Sequence, residues 1–216
     1  MYVDDALPLL KNCIGIKFKQ LYKNLPSDLR TNKGNAGQLL LLHIGCKLDS
    51  ELTDFYDGEL KTNKSNSAGV ALETMFITQI SRQIDTFVSP TPTSFLNSDL
   101  YKKIRRLIIL PVCKDAASSD DWYFVDLLDV NLDVQSDLRS ALEADYYSII
   151  EQMKQSIETS RDGNLHTANG NLLQIRTKDS KPYHPIFSRV YNRYVSDKNF
   201  AFYFKKEFMK KIKDKL

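Results

Sequence analysis

Residues 107–112 read Leu-Ile-Ile-Leu-Pro-Val and follow a basic stretch, Lys103-Ile104-Arg105-Arg106. So short and nearly all-apolar a run is what a central strand, covered on both faces, requires. Downstream, 122–128 (WYFVDLL) reads as another strand, 135–160 as a long helix, 171–178 as a strand and 200–215 as a strand running into a helix. Upstream, 71–80 alternates, with Thr74, Phe76 and Thr78 on one face and Met75, Ile77 and Gln79 on the other. Residues 85–98, with Pro90, Pro92 and many Ser and Thr, read as a loop, and 25–33 as turn-rich. Residues 53–63 (TDFYDGELKTN) predict two short strands around a turn at Asp57–Gly58, because Asp-Gly is a strong turn signal. Residues 34–44 predict a compact apolar helix stopped by Gly45. In 3–24, Leu7, Leu10, Ile14, Phe18, Leu21 and Tyr22 fall at helical spacing, with a break expected at Gly15–Ile16. Strands and helices mixed throughout argue for an α/β fold.

The chain has 216 residues, 42% hydrophobic and 26% charged, enough for one sizeable domain and inconsistent with wholesale disorder. No apolar run approaches the ~20 residues of a membrane helix. Asp4 and Asp5 stand where a secretory leader would carry Lys or Arg. Cys13, Cys46 and Cys113 are odd in number, widely spaced and without a CxxC pair, which disfavours a disulfide framework. A reduced, cytoplasmic protein without membrane contact is the expectation.

Charge is unevenly spread. Thirty Lys and Arg against 27 Asp and Glu give a net +3. The last 15 residues, FYFKKEFMKKIKDKL, hold six lysines, among them Lys205 and Lys206, against Glu207 and Asp214. A basic end on a near-neutral body suits a polyanion, although a solvated terminal helix has the same composition.

The chemistry-bearing constellation is Asp54, Glu59 and Lys61. On a strand, Glu59 and Lys61 share a face, and Asp54 lies across the expected turn. Two carboxylates are hard ligands for Mg²⁺. A lysine beside them can orient or deprotonate water while the metal stabilises charge on a phosphoryl oxygen. This is the D…ExK arrangement of many nucleases. On its own it is a weak signal, since ExK arises by chance in Lys-rich chains and describes an exposed charged strand equally well.

The surrounding blocks are more specific. In order, KGNAGQLLLLHIG (33–45), TDFYDGELKT (53–62), LETMF (72–76), KIRRLIILPV (103–112), NLLQIRTK (171–178) and FYFKKEF (202–208) resemble the MutH mismatch-repair endonuclease family and its GATC-cutting type II restriction relatives. The resemblance implies a PD-(D/E)XK core, a mixed central sheet flanked by helices, as a single domain over 1–216 with room for two lobes flanking a DNA cleft. It implies Asp54 and Glu59 as metal ligands, Lys61 as the catalytic lysine and Lys103 as a further active-site lysine. It also implies Phe76 as a DNA-contacting aromatic, Arg176 and Lys178 as the groove-reading pair and Tyr203 as a sensor of adenine methylation. Independently, Arg donates twice to guanine O6 and N7, and Lys205 and Lys206 suit phosphate neutralisation. Core packing is the plainer account of Phe76 and Tyr203, and a charge-blunted strand edge that of Arg176 and Lys178.

Two departures stand out. The family's extra acid, in the helix after the G-x-x-G turn, falls on Leu41, with Glu51 and Asp57 as candidate replacements. The Asp54-to-Glu59 gap is shorter than the family spacing, so Gly58 is expected to tighten the turn. A nuclease with a simpler metal site, a slow nuclease and a non-cleaving DNA binder all fit these departures. The presence of Asp54, Glu59, Lys61 and Lys103 favours retained activity. His43, His166 and His184 show no HxH or HExxH spacing, which disfavours zinc, and no GxSxG elbow exists. The expected function is a Mg²⁺-dependent, sequence-specific double-stranded DNA endonuclease of type II restriction kind, with a companion DNA methyltransferase. The rival is a MutH-like nicking enzyme with a MutL-type activator.

Overall fold

The computed structural model describes residues 1–26, 29, 35–48 and 51–214. The expected turns at 25–33, the Gly34 end of the expected helix and Lys215 lie partly or wholly outside them. The chain divides into two compact units. Unit 1 comprises 1–73, 103–134 and 209–216, and unit 2 comprises 74–102 and 135–208.

In unit 1, α1 (Val3–Lys11) and α2 (Phe18–Leu21) flank the break at Gly15, which adopts φ +75°. α3 (Asn35–His43) ends before Gly45 at φ +86°, as a left-handed stop requires. β1 (Glu59–Ser65) runs parallel to β3, Glu59 opposite Leu107. β3 (Arg106–Cys113) is the expected buried strand at the centre of this sheet. On its other edge it pairs antiparallel with β4 (Tyr123–Phe124) and β5 (Leu128–Asn131). The sequence predicts one strand over 122–128, and the structure breaks it in two. Pro111 offers no N–H to a ladder, and its carbonyl instead takes the Val125 N–H at 2.8 Å. One core cluster of this unit includes Val3, Leu10, Phe18, Leu40, Ile108, Leu110 and Phe124.

Unit 2 has an antiparallel sheet in the order β2–β10–β7–β6. Its strands are β2 (Met75–Gln79), β6 (Ala168–Asn169), β7 (Leu173–Thr177) and β10 (Phe200–Phe204). A two-stranded ribbon, β8 (Ile186–Ser188) with β9 (Arg193–Ser196), forms the excursion between β7 and β10. α4 (Ile84–Val88) occupies part of the expected loop 85–98, because Ile84, Phe87 and Val88 are buried. α6 (Ser136–Thr159) is the expected long helix and covers the sheet's inner face, with Tyr146 stacked on Phe202 at 6.4 Å. α5 (Asp99–Ile104) and α7 (Lys206–Lys213) lie where the chain passes between units.

The protein is thus α/β with mixed strand directions and flanking helices. Among the described residues no helix is long and apolar enough to cross a membrane. Cys13, Cys46 and Cys113 are free.

Candidate functional site

The reading of 53–63 as two strands fails on its first half. Strand begins only at Glu59, and the preceding residues form a bent loop closed by Phe55 N–H on the Gly58 carbonyl at 2.8 Å. Gly58 is required for space rather than for conformational freedom. A Cβ there would lie 2.6 Å from Val3 Cγ2 and 2.8 Å from the Arg106 carbonyl oxygen.

This loop brings Asp54 onto the end of β1. Its N–H donates to Glu59 Oε2 at 3.3 Å, and its Oδ2 accepts the Leu60 N–H at 3.0 Å. The two-residue spacing on β1 lets Lys61 Nζ donate to Glu59 Oε1. Lys103, in the last turn of α5, donates to the same oxygen at 2.8 Å. All four sequence-predicted catalytic residues therefore meet within unit 1. Glu59 is 2% exposed, a burial its charge tolerates because two ammonium groups face it. Asp54 is exposed as a residue, but its carboxyl is crowded. That desolvation, followed by the charge of Glu59, raises its pKa, while Lys61, the Leu60 N–H and Lys103 pull the other way.

The donor set is two hard carboxylates with no nitrogen or sulfur ligand, which fits Mg²⁺ with water completing its shell. It stops at two. Among the described residues no group of three or more His, Cys, Asp or Glu could hold a metal. α3 packs on β1 through Gly37, where a Cβ would lie 3.6 Å from Thr62 Oγ1, and Leu41 is buried in the core. Of the candidate replacements, Asp57 accepts the Val3 N–H at 2.8 Å and so serves the start of α1. Glu51 is exposed.

Four of the six sequence-predicted DNA residues, Phe76, Arg176, Lys178 and Tyr203, gather on one face of the unit 2 sheet. Alternation sends Met75, Ile77, Leu173, Ile175, Phe202 and Phe204 inward, where all are buried. Phe76 and Tyr203 take the other face in register, ring centroids 5.8 Å apart and edge-on. The Arg176 guanidinium lies 4.4 Å from the Tyr203 ring centroid, and Lys178 Nζ 5.7 Å from that of Phe76. Two cations thus sit on two aromatics across three strands, each contact contributing about 0.5–1 kcal/mol at such exposure. Tyr203 is only 6% exposed, so the expectation of core packing holds for its area though not for its direction.

Lys205 is committed within the fold, donating to the Gly170 carbonyl at 3.0 Å, whereas Lys206 is exposed at the start of α7. Gln174 pairs with Tyr203 and shares its face, although the sequence reading passed over it. Its signal was present as the period-2 partner of Arg176. His43, His166 and His184 are exposed, and the latter two approach Asp162 and Asp179 respectively.

No protein-family model matches the chain, and no curated protein matches it.

Proposed function

We propose that the chain is a Mg²⁺-dependent double-stranded DNA endonuclease of MutH-like, PD-(D/E)XK kind, acting as a type II restriction enzyme at a short site, GATC by resemblance. The observation that carries this reading is the meeting of Asp54, Glu59, Lys61 and Lys103 in one cluster. Asp54 and Glu59 would hold the ion, which when bound supplies Lewis-acid stabilisation of the phosphate. Lys61, an ammonium held on Glu59, would orient the attacking water and stabilise charge developing on the phosphate. Lys103 shares the Glu59 oxygen and would add positive charge for the phosphoryl oxygens. Phe76, Tyr203, Arg176 and Lys178 would read the duplex, with Gln174 beside them. Arg176, held over Tyr203, presents a fork matched to guanine.

A plasmid digest tests the reading. The wild type with Mg²⁺ is expected to linearise plasmid bearing unmethylated sites. Lys61→Ala is expected to lose activity by at least about 10²-fold with duplex binding retained. Undiminished cleavage by that variant would falsify the assignment. Cutting of both strands unaided, beside a gene for a companion methyltransferase, separates this from a nicking enzyme that needs a MutL-type activator.

Leu41 and the two-acid donor set favour one other reading, a DNA-binding relative without cleavage. That protein would retard plasmid in a gel and leave it intact at every Mg²⁺ concentration.

A further inference from the structure

Between Lys178 and Asn199 the chain leaves the unit 2 sheet and returns as the β8–β9 ribbon. Its base is closed by Lys178 N–H on the Asn199 carbonyl at 2.8 Å and by Asn199 N–H on Asp179 Oδ2 at 2.9 Å. Its tip is held by Asp85 on α4, which accepts the Ser188 hydroxyl at 2.7 Å and the Arg189 N–H at 3.0 Å. Along the inner side, Arg193 donates to the Gly163 and Ile157 carbonyls at 2.6 and 2.9 Å. Ile186 and Val195 are buried beneath.

All this bracing presents an aromatic pair to solvent. Phe187 and Tyr194 lie opposite each other in register, ring centroids 5.3 Å apart, and remain 45% and 63% exposed. A rigid surface that keeps two large rings in water is the mark of a contact site. Its rim is basic. Arg189 and Lys181 are exposed, and Lys198 Nζ lies 4.8 Å from the Tyr183 ring centroid. Asp85 and Asp179 are engaged in the hydrogen bonds above, and Asp197 is an exposed acid at the end of β9.

We infer that the ribbon is an arm for duplex DNA flanking the bases that the sheet reads. Phe187 and Tyr194 lie against sugars and base edges in a groove, and Arg189 and Lys198 lie at phosphates. One observation chooses this occupant over a protein partner. The ribbon continues directly from β7 and β10, the strands that carry Arg176 and Tyr203. A two-stranded ribbon also fits the major groove. The inference rests on the proposed DNA reading.

The test is fluorescence anisotropy of the full chain on two duplexes sharing one central site. One spans about one helical turn and the other about two turns more. Wild type is expected to bind the longer duplex about tenfold or more tighter. The double variant Phe187→Ala/Tyr194→Ala, and separately Arg189→Ala, are expected to lose that increment while keeping short-duplex affinity and thermal unfolding. If the double variant unfolds, Arg189→Ala decides alone. An increment retained in the folded variants overturns the arm and leaves the aromatic pair to a protein partner. A wild type that binds the short duplex without any increment overturns the arm and spares the DNA reading. A wild type that binds neither overturns both.

Discussion

Asp145 fixes the start of the strand that carries Arg176. From α6 its buried carboxylate accepts the N–H groups of Asn171, Leu172 and Leu173 at 2.8, 2.6 and 2.9 Å. The turn wraps so closely that a Cβ on Gly170 would lie 2.3 Å from Asp145 Cγ. Asp145→Ala strips the acceptor from three donors and is expected to cost about 3 kcal/mol or more in urea unfolding. Gly170→Ala is expected to cost about 1–3 kcal/mol by overpacking. Neither demand shows in the sequence, where Asp145 is one acid on a long helix and Gly170 a glycine in a turn. The same holds for Gly58, legible as a turn residue but needed for the approach of Arg106 and Val3. By contrast, Glu59 and Lys61 were legible, because a spacing of two fixes a shared strand face whatever surrounds it.

At the scale of elements, the β7-to-β10 excursion depends on Asp179, whose side chain is 4% exposed. Burial opposes its ionisation. Hydrogen bonds from Asn199 N–H, the His184 ring and N–H, and Ser180 N–H outweigh it and hold the carboxyl well below the usual range. A folded-state pKa lowered from an ordinary 3.8 gives stability that is present above that value and lost as pH falls beneath it. The melting temperature is therefore expected to drop on acidification below about pH 4, and Asp179→Asn to flatten that drop. A variant with an unchanged acid limb counts against Asp179 as its source. Elements with strong periodicity were legible, notably β3, α6 and the β10-to-α7 passage. Those missed owe their form to partners. α4 forms where the sequence reads as loop because its apolar residues have a core to enter. The strand over 122–128 splits because Pro111, on another strand, withholds a donor.

For the molecule as a whole, charge is the property that acts at range. Arg176, Lys178, Arg189 and Lys206 are exposed on unit 2. Duplex affinity is expected to fall steeply with salt, with a log–log slope of about −0.9 per phosphate neutralised. Lys178→Ala is expected to make that slope shallower by about 1. Salt-independent binding in a titration at fixed pH would exclude phosphate contact as its basis. Net charge alone gives no such expectation, since +3 on 216 residues is modest. What matters is where the exposed cations lie, and Arg176, Lys178, Arg189 and Lys206 lie on the unit whose sheet is proposed to meet the duplex.

The chain alone determined which residues were candidates for chemistry and which of them share a strand face, because strand alternation is a local property of the backbone. It also determined the α/β class, through runs whose periodicity no neighbour can alter. Only the tertiary structure decided what assembles with what. Lys103 reaches Glu59 from 44 positions away because parallel pairing sets β3 beside β1. Arg176 reaches Tyr203 because β7 and β10 are antiparallel neighbours, and Phe76 joins them across β10 from more than a hundred positions upstream. Such contacts depend on strand order and register, which are fixed when whole faces are buried together and not by any residue's own preference.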